Sequence, residues 1–106
     1  MKLDHIAIDV KEPDWYIRFF EECFSETVVK TEGTKTWLKD GIQINKVETE
    51  YICSGHVAFV VDDYEDCLKR VYEYENVHPS DGGYNWPCLP NGLVIEVLKP
   101  GGGIRF

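Results

Sequence analysis

The chain is poor in basic residues and has no long apolar run. It carries 11 lysines and arginines against 19 aspartates and glutamates, a formal net charge of -8. Without a basic stripe, nucleic acid is not an expected partner. No apolar run approaches the length of a membrane-spanning helix, so no membrane partner is expected. The first residues also lack the pattern of a signal peptide, and we therefore expect a cytoplasmic protein.

Cysteine is present, but not in the spacings that bind zinc. The four cysteines form no Cys-x-x-Cys pair and no Cys/His pattern of the zinc-finger kind. This disfavours a structural zinc site. In a cytoplasmic protein the thiols are expected to be reduced and to serve as small core side chains. They are Cys23, Cys53, Cys67 and Cys88.

A short pattern occurs twice along the chain. His5 and His56 are each followed two residues later by alanine, within segments whose apolar residues alternate as in strands. Forty residues after His5 lies Asn45, and forty residues after His56 lies Glu96. A duplicated fold would bring these four positions together.

The repeat predicts two modules, about 1–50 and 51–106, within a single domain of residues 1–106. Each module is predicted to contain a strand, a helix and then further strands. In the first module these are strands near 3–10, 26–31, 36–39 and 42–48, with a helix from Pro13 to about Phe24. The predicted buried stripe of that helix is Trp15, Phe19, Phe20, Cys23 and Phe24.

The second module repeats this order. A strand near 55–61 precedes a helix capped by Asp63, and a final strand runs near 93–98. Alternation along the strands places Glu96 on the face away from the helix, and Gln43 and Asn45 on the corresponding face of the first module. The glycine-rich run at 100–103 predicts a loose segment.

These features resemble the vicinal oxygen chelate superfamily, which includes glyoxalase I, methylmalonyl-CoA epimerase, fosfomycin and bleomycin resistance proteins and extradiol dioxygenases. The resemblance lies in the repeated element order, the two His-x-Ala-x-x-Val openings, the Phe19-Phe20 pair and the run from Leu89 to Val97. It implies an α+β fold of two tandem βαβββ modules that form a cup-shaped mixed sheet, with the helices on its outer face.

The resemblance also implies one divalent metal ion, held in the cup by residues of the first and last strands of each module. Carried over to this chain, the ligands are His5, His56 and Glu96, with Glu96 as the catalytic residue. The ion could be zinc, nickel, manganese, cobalt or iron. A small-molecule substrate and a homodimer are further expectations from the resemblance.

The fourth ligand position departs from the pattern. By the repeat offset it is Asn45, whereas glyoxalase I and the epimerase are expected to have a carboxylate there. Gln43 shares the face and is the alternative if the strand is shifted by two residues. An amide can bind a metal weakly but cannot accept a proton at neutral pH. Trp37, Tyr84, Trp86 and Gln43 are candidates for the lining of a substrate pocket.

Three kinds of function remain open. The first is a metal-dependent lyase or isomerase of the glyoxalase-like type. The second is an iron(II) dioxygenase or a manganese-dependent antibiotic-modifying transferase, which could use His5, His56 and Glu96 alone. The third is a metal-free binding protein that sequesters a small cationic ligand. The two histidines at matching positions favour the enzymes.

Overall fold

The computed structural model describes all residues of the chain, 1–106. The backbone divides into two compact units, 1–51 and 52–106, which we call the first and second modules. That they form one domain stays a prediction. No helix is long and apolar enough to cross a membrane.

The first module is one four-stranded mixed sheet with one helix. Its strands occur in the order β1-β4-β3-β2, with β1 parallel to β4 and the other neighbours antiparallel. The elements are β1 (Ile6–Val10), α1 (Pro13–Phe24), β2 (Val28–Glu32), β3 (Lys35–Leu38) and β4 (Ile42–Lys46). The first strand is shorter than expected, and His5 lies one residue before it.

Helix α1 begins where proline allows and ends in a left-handed turn. Pro13 occupies the first turn, where its missing N–H is no loss, and Ser25 closes the helix with a φ of 56°. The buried stripe differs from the prediction at one place: Tyr16 is buried, whereas Trp15 is only half-buried and stacks on Phe19 at a centroid distance of 5.2 Å. The stripe therefore begins one residue later than the spacing indicated.

The second module has the same topology. Its strands occur in the order β5-β8-β7-β6, with β5 parallel to β8. The elements are β5 (His56–Val60), α2 (Tyr64–Val71), β6 (His78–Ser80), β7 (Gly83–Cys88) and β8 (Val94–Leu98). Ile95 and Val97 of β8 are fully buried, and α2 packs on this strand. Glu96, between them, belongs to the opposite face.

The prediction of an α+β chain made of two tandem βαβββ modules is confirmed. In each module the helix covers one face of the sheet, which leaves the opposite face of the first and last strands for polar side chains. Neither sheet closes on itself. The joining of the two modules into a cup stays a prediction.

Candidate functional site

The second module places a histidine and a carboxylate side by side on the face away from α2. In the ladder between β5 and β8, His56 is opposite Val94 and Ala58 is opposite Glu96. His56 and Glu96 are therefore diagonal neighbours, within reach of long side chains. Because Ala58 has only a methyl group, it leaves room for the carboxylate beside it. His56 Nε2 and Glu96 Oε1 lie 3.6 Å apart.

An aromatic ring supports the imidazole of this pair. Trp86 of β7 packs edge-on against His56, with ring centroids 4.9 Å apart. Gly82 makes this packing possible, because a Cβ at this position would lie 2.8 Å from Cγ of Trp86. The His56 ring remains half exposed, and Glu96 is more covered. The pair thus combines a fixed position with access from solvent.

A groove opens beside the pair. It has a volume of about 430 Å³ and is lined on one side by His56 and Glu96, together with Ala58, Val60 and Leu98 of the same two strands. Its other side is formed by residues 102–106. A second groove of about 420 Å³ includes His56 and Trp86 but not Glu96. The imidazole of His56 is therefore accessible from two sides.

The first module has its own polar cluster on the equivalent face. His5 Nδ1 lies 2.7 Å from Oδ2 of Asp4. Gln43 Nε2 donates a hydrogen bond of 2.7 Å to Oδ1 of Asn45. Asn45 Nδ2 in turn donates to Oδ1 of Asp9 at 3.0 Å. Gln43 and Asn45 share one face, as the alternation predicted.

The strand ladders show which residue of the first module stands where Glu96 stands in the second. The residue opposite the alanine of the His-x-Ala pattern is Glu96 in the second module and Gln43 in the first. Asn45 is opposite Asp9, four residues beyond His5. At about 3.3 Å per residue this is roughly 13 Å along the strand from the level of His5. The register therefore places Gln43, not Asn45, at the position equivalent to Glu96.

The turn glycines show the origin of this difference. Gly41 approaches Asp4, one residue before the histidine of its module, since a Cβ on Gly41 would lie 3.2 Å from the Asp4 carbonyl oxygen. Gly92 approaches Cys53, three residues before the histidine of its module. The closing strands of the two modules thus pair in registers that differ by two residues. A shift by two keeps every side chain on its face.

Asp9 is a candidate that the motif comparison missed. It provides a carboxylate beside Asn45, whereas the comparison of the two modules gave only the amides Asn45 and Gln43 at this position. Strand alternation puts Asp9 on the same face as His5, but only the pairing of β1 with β4 shows that Asp9 adjoins Asn45. The first module therefore has a carboxylate on this face as well.

The aromatic candidates lie in different places. Trp86 packs on His56, as described above. Trp37 of β3 is the antiparallel neighbour of Gln43, and the Lys30 ammonium lies 5.2 Å from the centre of its ring. Tyr84 stacks on Tyr72 at 4.6 Å and accepts a hydrogen bond from its hydroxyl through the backbone carbonyl. Only Trp86 contacts a predicted ligand of the second module.

The His56–Glu96 pair fits part of a metal site. Two ligand atoms bound at about 2.1 Å to one ion lie roughly 3 to 3.6 Å apart, and the measured separation is 3.6 Å. An imidazole nitrogen and a carboxylate oxygen suit zinc, manganese, iron, nickel and cobalt. Neither module by itself brings together three histidine, cysteine, aspartate or glutamate side chains that could hold an ion.

The buried thiols do not add to this donor set. None of the four cysteines forms a disulfide, and Cys23 and Cys67 are buried. Burial, with the negative charges of Asp66 and Asp63, raises the pKa of the Cys67 thiol to about 11. A protonated buried thiol is neither a metal ligand nor a nucleophile.

Comparison with known proteins gives matches at the level of structure alone. No protein family model matches the chain, and no curated protein sequence matches it. Trypanothione-dependent glyoxalase I of Leishmania major superimposes with a TM-score of 0.76 at 20% identity, over 95% of this chain and 88% of that chain. A possible glyoxalase from Bacillus cereus gives 0.65 at 25% identity, over 92% and 98%. The oxidase ChaP-H2 gives 0.71 at 19% identity, over 93% of both chains. At these identities the likeness shows the fold.

Proposed function

We propose that this chain, which has the fold of the vicinal oxygen chelate superfamily, is a metal-dependent enzyme of the glyoxalase-like lyase or isomerase type. The observation that carries the proposal is the 3.6 Å approach of His56 Nε2 to Glu96 Oε1 at the edge of an open groove. The glyoxalase I of Leishmania major and the possible glyoxalase from Bacillus cereus, which share this fold, support the choice of chemistry.

The proposed ligands are His56 and Glu96 from the second module and His5 and Gln43 from the first. Gln43 takes the place of Asn45 in this proposal because the ladder register makes it the counterpart of Glu96. A divalent ion at these residues would polarise substrate oxygen atoms and stabilise the negative charge that develops between them.

Glu96 is the proposed base. Its carboxylate has two oxygens, and Oε1 faces His56. The second oxygen is then left to take a proton from a carbon beside a substrate carbonyl and return it. The counterpart Gln43 cannot share this task, because an amide accepts no proton at neutral pH. We therefore propose an isomerisation or elimination that uses one base.

A second candidate function is an iron-dependent oxidation at the same residues. Two imidazoles and one carboxylate are the ligand set of many non-haem iron(II) oxygenases. The likeness to the oxidases ChaP-H2 and ChaP-H1 supports this candidate. The identity of the bound metal separates the two, because oxygenase chemistry needs a redox-active ion.

The metal content of the purified protein tests the proposal. The wild type, His56→Ala and His78→Ala are dialysed against trace zinc, nickel, manganese, cobalt and iron, and the bound metals are measured by mass spectrometry. His78 is the matched control, because it is an exposed histidine of β6 in the same module. We expect about one ion per chain in the wild type and in His78→Ala, and at least a tenfold loss in His56→Ala.

Iron as the bound ion would favour the oxidation, and zinc or nickel the lyase or isomerase. Equal, negligible metal in all three proteins would contradict both proposals. It would leave the metal-free binding protein as the explanation of the groove.

A further inference from the structure

The other side of the groove that contains His56 and Glu96 is formed by residues 102–106. Gly103 lies against β5 so closely that a Cβ on it would be 3.0 Å from Cγ2 of Val60. Gly102 is equally confined, with its Cβ position 3.0 Å from the Lys99 carbonyl oxygen. These glycines let the backbone pack on the sheet where a larger residue would hold it away.

Backbone hydrogen bonds fix the course of this segment. The N–H of Gly102 donates to the carbonyl of Lys99 at 2.8 Å, and the N–H of Gly101 donates to the carbonyl of Phe106 at 3.0 Å. The chain thus turns back on itself after β8. The glycine-rich run, which we expected to be loose, is a wall of the groove.

Arg105 is the only lysine or arginine among the residues that line this groove. The chain has three arginines. Arg18 is 3.7 Å from Glu22, and Arg70 is 2.7 Å from Asp66, both within helices. Arg105 forms no ion pair, although the chain carries 19 carboxylate side chains. A guanidinium left without a partner beside a groove is a ready binding group for an oxyanion.

The rest of the groove is apolar. Ala58, Val60 and Leu98, on the side of His56 and Glu96, form an apolar surface that we call the floor, and the neighbours of Arg105 on the segment are Ile104 and Phe106. Ile104 and Phe106 are among the most exposed apolar side chains of the protein. Large apolar groups at the rim of a groove are typical of a surface that is covered when a ligand binds.

We propose that the groove binds a small organic acid, with its carboxylate on Arg105 and its apolar body between the floor and the side chains of Ile104 and Phe106. This inference rests on the proposed function in that it names the substrate class of the same site. Because Glu96 faces His56, the carboxylate of the ligand would meet Arg105, the one arginine or lysine of the groove and one without an ion-pair partner. A cationic ligand would be repelled by this guanidinium.

Three probes of one shape test the charge preference. Phenylacetate, phenylacetamide and phenethylamine share a ring and a short arm but are anionic, neutral and cationic at pH 7. Each is titrated into EDTA-treated, ¹⁵N-labelled protein, and amide shifts in β5, β8 and residues 101–106 are followed. We expect phenylacetate to bind with a dissociation constant on the order of 1 mM, and the other two at least tenfold more weakly.

Variants then assign the charge. Arg105→Gln should weaken phenylacetate binding at least tenfold, to the level of phenylacetamide, and Arg105→Lys should retain part of it. Arg70→Gln is the matched control, because it removes the same charge from an exposed helix position of the same module, and it should bind phenylacetate as the wild type does. The three wild-type titrations do not depend on whether any variant folds.

Equal binding of phenylacetate and phenylacetamide, tighter binding of phenethylamine, or undiminished phenylacetate binding by Arg105→Gln would each overturn the inference. The metal content of Arg105→Gln is measured in parallel and should equal that of the wild type. Phenylacetate binding by a protein that takes up no metal would support this inference and still contradict the proposed function.

Discussion

Glu26 has the one buried side-chain oxygen of this chain that lacks a hydrogen-bond partner, its Oε2. The residue follows α1, and its other oxygen accepts a hydrogen bond of 3.0 Å from the backbone N–H of Asp40. Burial, with the nearby carboxyl of Asp40, raises the pKa of Glu26 from 4.5 to about 7. Near neutral pH the carboxyl of Glu26 therefore changes between a neutral form, which is buried at low cost, and a charged form, which is costly to bury.

The raised pKa makes stability depend on pH at this residue. Between pH 4.5 and about 7 the folded protein keeps a proton that the unfolded chain releases, so stability should fall as the pH rises through this range. Glu26→Gln keeps the acceptor for Asp40 and removes the charge. We expect it to be more stable than the wild type at pH 8.5, by about 1 to 3 kcal/mol, and not at pH 4.

Urea unfolding at both pH values measures this difference. Glu21→Gln is the control, because it removes the same charge from an exposed position of α1. A Glu26→Gln variant whose advantage over the wild type is the same at pH 4 and pH 8.5 would show that Glu26 does not titrate as described.

The residues of the candidate site were only partly accessible to sequence reasoning. Glu96 lies in an apolar strand, and His56 lies two residues before an alanine in the repeated pattern, so both could be proposed from the pattern alone. The choice between Asn45 and Gln43 could not be made from the sequence, because an offset of forty residues counts positions along the chain and does not determine which residues are paired in the sheet. The two-residue difference in register depends on where each turn glycine packs, which only the folded backbone shows.

Among the elements, the two helices begin differently. The Asp63 side chain accepts a hydrogen bond of 3.0 Å from the backbone N–H of Asp66, whereas Glu12, at the start of α1, makes no such bond. Helix α2 has only eight residues, so a larger share of its stability depends on its ends. Acidic residues in its first turn and basic residues in its last add to the same effect.

Loss of this cap should destabilise the protein. We expect Asp63→Ala to lower the free energy of unfolding by about 1 kcal/mol, because one N–H of the first turn loses its partner, while Asp63→Asn keeps most of it. Asp62→Ala removes a neighbouring charge and serves as the control, with an expected change within about 0.5 kcal/mol. Urea midpoints that drop equally for Asp62→Ala and Asp63→Ala would assign the effect to charge and not to capping.

The elements were predicted well where one signal dominates. Pro13 and the aromatic stripe placed α1 correctly, and the alternation around Glu96 gave β8 its two faces. The ends of strands were less well predicted: β1 begins at Ile6, since Ile6 is the first residue to pair with β4. The packing of residues 101–106 against the sheet was not predicted, because the glycines were read as a source of flexibility, whereas their small size also lets the backbone pack closely.

At the scale of the whole molecule, each module has a buried core of its own. Phe20 is fully buried in the first module and Leu68 is 1% exposed in the second. A unit of about fifty residues buries too little surface to be more than marginally stable alone. We therefore expect the chain to unfold in a single transition, as predicted for one domain.

Core variants in either module test this cooperativity. Phe20→Ala should lower the free energy of unfolding by about 3 to 5 kcal/mol, and Leu68→Ala by about 2 to 5 kcal/mol. Both should move the same transition in urea, followed by far-UV circular dichroism and by tryptophan fluorescence. Leu3→Ala, at an exposed position, gives the baseline. Two separate transitions, each shifted by only one of the variants, would show that the modules fold independently.

The packing of residues 101–106 on the sheet has a practical side for anyone who purifies this protein. The Phe106 carbonyl is held by the N–H of Gly101, and Phe106 lines the groove that contains His56 and Glu96. A polyhistidine tag fused after Phe106 would begin at the rim of that groove and bring six extra imidazoles to it. Such a tag would add metal-binding imidazoles to the groove and produce a metal signal of its own. An affinity tag ahead of Met1, removed before the metal is counted, avoids this artefact.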